Sequence, residues 1–181
     1  MENIKLLFKE LENLKWPATL TDLEDTVKNA AGIEQELIDT ADFSNDYYTR
    51  NLVYSCSQFD ALVVTWKSRQ RSPLHNHKGS ACVVRVLKGT ATEISYARSP
   101  SGMLFPVGSC QFCEGDVISS FDEDIHQMTN LENGDLVTLH VYAPGLKAME
   151  IFSLTDTCLE RYDELVSRSF STKTQQKQIQ L

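Results

Sequence analysis

The chain has 181 residues, a net charge of −8 with a pI near 5.0, and 41% hydrophobic residues. That length supports one well-buried core and is short for two, and so acidic a composition lacks the basic surface that phosphate binding requires, so no nucleic-acid partner is expected. Charged Glu2, Lys5, Lys9 and Glu10 interrupt the apolar residues of the N-terminus and no uncharged stretch approaches membrane-spanning length, so the expectation is a protein of the cytoplasm without a secretory signal or membrane partner.

Ile4, Leu7, Phe8, Leu11 and Leu14 recur at helical spacing and predict a first helix over 2–14, ended by Trp16-Pro17. Thr21 and Glu24 stand at capping-box spacing, and Leu23, Val27, Ala30 and Ala31 carry an apolar stripe to Gly32, which predicts a second helix. Residues 33–38 add a short third. After residue 47 the chain turns to short segments rich in Val, Leu, Thr, Tyr and Phe between Gly, Pro, Asn and Asp. Strands are expected near 51–56, 59–67, 73–76, 81–87, 90–97, 103–107, 116–119, 125–130, 135–142 and 148–154, with Lys88-Gly89 as a hairpin turn.

Many short antiparallel strands in one chain imply a mainly β protein, a closed or nearly closed barrel with the N-terminal helices packed outside. The expected organisation is a helical segment over 1–46, a barrel over 47–170 and a polar, disordered tail over 171–181. Five cysteines, an odd number without framework spacing, are expected as reduced thiols. Cys110-x-x-Cys113 has no second pair and no helix start beside it, and is read as structural.

Four histidines are present, at 75, 77, 126 and 140. In a strand, residues i and i+2 project from one face, so the imidazoles of His75 and His77 can reach one ion, and His126 can join them from a distant strand. Gly89 follows the first pair, and Gly115-Asp116 precedes His126-x-x-x-Asn130. These two runs resemble the paired signatures of the cupins. Most cupins add a glutamate ligand four or five residues after the second histidine; Cys82 stands in that region here, and no carboxylate replaces it. Three neutral imidazoles leave a divalent cation its full charge, which favours a thiolate ligand.

The segments Tyr47-Tyr48-Thr49-Arg50-Asn51-Leu52 and His75-Asn76-His77-Lys78-Gly79-Ser80-Ala81-Cys82, then His126, then Leu139-His140-Val141-Tyr142, resemble in the same order the cysteine dioxygenases, thiol dioxygenases of the cupin superfamily. The resemblance implies a cupin double-stranded β-helix, or jelly roll. It implies one Fe(II) per chain on His75, His77 and His126, a substrate carboxylate on Arg50 with Tyr48 beside it, and a role for Tyr142 at the bound substrate. A guanidinium suits that task, being permanently charged and forked for two hydrogen bonds. Thr138, His140 and Tyr142 alternate along one strand and can form a hydroxyl–imidazole–phenol relay; the family usually has serine where this chain has Thr138. In part of the family a cysteine at the position of Cys82 forms a thioether with the tyrosine matching Tyr142. Relatives often have a cis proline where Ala143-Pro144 stands, and either isomer is open here.

The implied reaction is oxidation of L-cysteine by O2 to cysteine sulfinic acid, without organic cofactor or external reductant, by a monomer. A thiol dioxygenase acting on 3-mercaptopropionate is the near alternative, although that branch commonly has glutamine in the arginine's place. A non-catalytic metallocupin that binds a small molecule is the distant one. Zinc, nickel and manganese also suit three histidines.

Overall fold

The computed structural model describes residues 1–121, 123–154 and 160–163. The expected disordered tail over 171–181 lies outside the described residues. Helix α1 (Glu2–Glu12) buries Ile4, Leu7, Phe8 and Leu11, and the Trp16 indole N–H donates to the Leu11 carbonyl at 3.2 Å, satisfying one group of its last turn. Helix α2 (Leu20–Asn29) begins two residues before the expected start: the capping box is Thr19 with Asp22, not Thr21 with Glu24. The Asp22 amide donates to Thr19 Oγ1 at 3.1 Å, and the Thr19 amide donates back to Asp22 at 3.2 Å. The earlier start adds Leu20 to the Leu23–Val27 stripe against the core. Helix α3 (Glu34–Ile38) buries Leu37.

The strands are β1 (Thr49–Ser55), β2 (Asp60–Trp66), β3 (Leu74–His75), β4 (Ala81–Lys88), β5 (Ala91–Arg98), β6 (Leu104–Phe112), β7 (Val117–Ser120), β8 (Ile125–Thr129), β9 (Leu136–Ala143), β10 (Ala148–Phe152) and β11 (Glu160–Asp163). They form two antiparallel sheets ordered β1-β2-β9-β4-β7 and β11-β10-β3-β8-β5-β6. All ten expected strands are present. β11 is additional, and β6 runs five residues past its expected end near 107. Pro106 and Gly108 pair with Tyr96 and Ser95 across a register shift that leaves Val107 as the extra residue. β6 is an edge strand, where a bulge tolerates proline.

The first sheet is buried on both faces. Ala61, Val63, Val83, Leu87, Val137, Leu139 and Val141 pack with the helices, while Leu62, Val64, Trp66, Cys82, Val84, Val86 and Tyr142 belong to a second cluster inside the barrel. That explains why β2 and β9 read as nearly continuous apolar runs rather than as alternating strands. A register shift between Leu52 and Tyr54 lets one strand serve both sides: Arg50 and Leu52 pair with Val64 and Leu62, whereas Tyr54 pairs with Ala61 and stacks on Phe8 at 4.6 Å.

On the helix side, buried Arg85 of β4 donates to the carbonyls of Val27 and Ala30 at the end of α2 and pairs with Glu34 at 2.6 Å. It fastens the helical layer to the sheet. The β4–β5 turn needs Gly89: its φ is +85°, and a Cβ there would lie 2.7 Å from the Asp135 carbonyl oxygen. Among the described residues no helix is long and apolar enough to cross a membrane.

Candidate metal centre

His75 ends β3, His77 follows it, and His126 lies on β8 directly opposite His75 in register. The pairing brings together residues far apart in sequence. The ligand nitrogens of all three lie within 4.8 Å of one another, with Nε2 of His77 3.2 Å from that of His75 and 3.4 Å from that of His126. Nitrogens each about 2.1 Å from a shared ion lie about 3.0 Å apart at a right angle and about 3.4 Å apart at a tetrahedral one. The spacing therefore fits a single ion.

The remote nitrogens determine which form of the rings faces inward. His75 Nδ1 lies 3.0 Å from the Pro73 carbonyl and His126 Nδ1 2.5 Å from the Glu93 carboxylate. Both oxygens accept, so these rings carry their hydrogens on Nδ1 and present lone pairs at Nε2. Burial holds His75 neutral, pushing its pKa down to about 3, and lowers that of His77 well below the ordinary value. Converging lone pairs repel one another. A cation removes that repulsion, and the donor set fits iron as well as other divalent metals.

The H-x-H segment is braced from β10. Asn76 donates to Glu150 at 3.0 Å and accepts from the Glu150 amide at 3.2 Å, while Lys78 pairs with the same carboxylate. Ser120 Oγ sits 3.4 Å from His77 Nδ1.

Beside the three rings is a small cavity of about 30 Å³ whose lining also includes Arg50, Tyr48, Trp66, His140, Tyr142, Met128 and Met149. The Arg50 guanidinium carbon is 5.9 Å from the centre of the Tyr142 ring, and Tyr48 stacks on Trp66 at 4.6 Å. Burial raises the Tyr48 phenol's pKa, with the Arg50 charge partly opposing it.

Thr138, His140 and Tyr142 of β9 are joined as a chain. Thr138 Oγ1 is 2.9 Å from His140 Nε2, and Tyr142 Oη is 3.2 Å from His140 Nδ1. The Trp66 indole donates to Thr138 at 3.1 Å. The single Thr138 hydrogen has two acceptors in reach, His140 Nε2 at 2.9 Å and the Val64 carbonyl at 3.5 Å, and the shorter contact favours donation to His140 Nε2. His140, kept neutral by burial, then carries its own hydrogen on Nδ1 and donates to Tyr142. The phenol hydrogen is left for Cys82 or for a molecule in the cavity.

Cys82 and Tyr142 are direct cross-strand partners, which brings thiol and phenol beside one another. Burial raises the pKa of each, so both are neutral at ordinary pH. Cys110 and Cys113 are exposed on and just beyond β6, away from the cavity lining. Ala143-Pro144 is cis.

The structure thus gathers every residue that the sequence singled out for the site around one cavity or in contact with its lining. Four contributors had no sequence signal beyond lying in expected strands or loops: Glu93, Trp66, Ser120 and Glu150. Their partners lie more than 30 residues away in sequence, so only the fold reveals them. Glu93 also changes the expected electrostatics, because a carboxylate stands one hydrogen bond behind the ligand set.

Comparison with known proteins places these observations in one family. A family model described as cysteine dioxygenase type I matches residues 21–155. The curated cysteine dioxygenase type 1 of Danio rerio is 25% identical over 138 residues, covering 72% of this chain and 68% of that protein. The Homo sapiens protein of the same name is 24% identical over 123 residues, covering 62% of this chain and 58% of its own length. Among solved structures, a conserved protein with a double-stranded β-helix domain from Klebsiella pneumoniae superposes with a TM-score of 0.52 at 17% identity, covering 64% of this chain and 87% of that one. BH2720 from Bacillus halodurans gives 0.52 at 16%, covering 63% and 79%. The fold is the cupin double-stranded β-helix, and the chain belongs to the cysteine dioxygenase type I family of the cupin superfamily.

Proposed function

We propose that this protein is an iron-dependent cysteine dioxygenase that converts L-cysteine and O2 to cysteine sulfinic acid, both oxygen atoms entering the product. The observation that carries the reading is the single cavity that holds a three-histidine cluster and a guanidinium together. A thiol that is also an α-amino acid presents two anionic ends. A cation on the histidines suits the thiolate, and Arg50 suits the carboxylate.

His75, His77 and His126 would hold ferrous iron, which supplies the redox chemistry that couples thiol and dioxygen. Arg50 fixes the carboxylate, and Tyr48, stacked on Trp66, limits where the backbone of the substrate can lie. Together they place the thiol before reaction and remove an orientational entropy cost. His140 orients the Tyr142 phenol, leaving its hydrogen to be offered to sulfur or oxygen in the cavity. The thiol supplies the electrons, so no external reductant enters the balance.

As cross-strand partners, Cys82 and Tyr142 would form a thioether. Its formation joins sulfur to the phenol ring and removes two hydrogens, with dioxygen as the oxidant. The bond would hold Tyr142 against rotation.

The test is anaerobic loading with Fe(II), then oxygen uptake and product mass with L-cysteine and 3-mercaptopropionate in parallel. One O2 consumed per cysteine, with a product heavier by two oxygen atoms, is expected. Faster turnover of 3-mercaptopropionate would reassign the substrate, and cysteine binding without oxygen uptake would make the protein a binding module. Arg50→Ala should raise the KM for cysteine by about 10²-fold through loss of charged hydrogen bonds worth about 3 kcal/mol, with iron content unchanged.

A further inference from the structure

The three histidines differ in what holds the nitrogen that faces away from the ion. His75 has a neutral carbonyl at 3.0 Å, His77 has a hydroxyl at 3.4 Å, and His126 has the Glu93 carboxylate at 2.5 Å. Glu93 lies on β5 opposite Met128, and Ser95 lies opposite His126. Its side chain therefore shares the inner face of the sheet and reaches along it to the imidazole. The contact is secluded: the two side chains are 14% and 6% exposed.

We propose that Glu93 is a positioning residue for the metal centre, one that aims His126 and lends it negative charge through the Nδ1–H···carboxylate contact. A hydrogen bond from an imidazole to a charged acceptor increases electron density at the opposite nitrogen and fixes the ring, and partners of this kind commonly change metal affinity by about 10–100-fold when lost. His126 becomes the strongest donor of the three. Cupins with a carboxylate ligand place that charge on the ion itself. Here the charge stays one imidazole away, so every coordination position it would have taken remains available to substrate.

This inference rests on the reading of the three histidines as a metal site, and the experiment separates the two. Glu93→Gln keeps an acceptor but removes the charge; Glu93→Ala removes both; Glu93→Asp keeps the charge on a shorter side chain. Each variant is titrated with Co(II) under conditions in which its metal-free thermal transition shows it folded, and the Fe(III)/Fe(II) potential is then measured on iron-loaded protein.

Gln should weaken Co(II) binding about tenfold and Ala about a hundredfold. Gln should also raise the potential, since losing a nearby negative charge weakens Fe(III) binding more than Fe(II); a tenfold difference corresponds to about 59 mV. Asp should lie nearer wild type than Gln in potential. Wild-type affinity and potential in both Gln and Ala would make Glu93 a packing residue and overturn the proposal. Failure of the wild-type protein itself to bind Co(II) or Fe(II) would instead overturn the metal-site reading, and the role of Glu93 with it.

Discussion

Replacing Thr138 with valine isolates the hydrogen-bond chain of β9 from its packing. Thr138 is fully buried, and its hydroxyl both receives the Trp66 indole hydrogen and meets His140 Nε2. Valine fills nearly the same volume, so no cavity opens and the cost falls on the two polar atoms left behind. Each buried unpartnered group costs about 1–3 kcal/mol, giving about 2–6 kcal/mol in all. Thr138→Ser keeps the hydroxyl and deletes one buried methyl, at about 1 kcal/mol. In a protein of this size each kcal/mol lowers the thermal midpoint by about 2–4 °C, so valine should melt roughly 10 °C below wild type and serine about 3 °C below. The assay is urea and thermal unfolding of metal-free protein, followed by turnover. Serine should retain a wild-type kcat, while valine, having lost the tautomer and orientation of His140, should lose much of it. Equal unfolding free energies for valine and serine would refute the role of the Thr138 hydroxyl as partner of Trp66 and His140.

Acid should destabilise the metal-free protein steeply. His75, His77 and His140 have pKa values lowered by burial, so the unfolded chain binds protons that the folded one refuses. Their contribution is intact above the unfolded value near 6.5 and is lost as pH falls from there towards about 3 for His75, each histidine adding a slope of about 1.4 kcal/mol per pH unit. A urea midpoint that stays flat between pH 7 and 5 would contradict neutral burial. Arg85→Ala should cost about 3–5 kcal/mol, because it leaves α2 carbonyls and Glu34 without their buried partner, and should leave metal affinity unchanged; loss of metal binding in folded protein would place Arg85 in the wrong layer. A thiol-alkylating reagent should modify Cys110 and Cys113 in native protein and spare Cys82, whose thiol is buried with its pKa raised. Labelling of Cys82 at a comparable rate, read by peptide mass, would show the cavity to be open.

The sequence carried the site further than it carried the boundaries of the elements. His75 and His77 announce their shared ion by local spacing, and Thr138, His140 and Tyr142 announce their common face by strand alternation, because both patterns are properties of a single segment. Glu93 and Trp66 act through His126 and Thr138, residues on other strands, and nothing local distinguishes them from ordinary strand residues. The cap of α2 was misplaced because two Thr/acid pairs of the same spacing overlap by two residues, and only the path of the preceding chain chooses between them. The expected end of β6 near 107 falls just before Gly108, a residue with no side chain to pack, and only the pairing with β5 shows that the strand continues through a bulge.

The strand that carries His75 has only two residues, yet His75 is in register with both Ile151 of β10 and His126 of β8. β3 therefore acts as the rivet between the C-terminal strands and the rest of their sheet. An ion bridging His75 and His126 would add a second fastening across the β3–β8 rung, and local separation of β3 from β8 would then require breaking a metal bond as well as the strand pairing. Amide exchange in β3 and β8 should accordingly slow on metal loading far more than exchange in β9, which is secured on both sides by long ladders with β2 and β4. The centre proposed to bind substrate would thus also set how firmly β3 is held in its sheet.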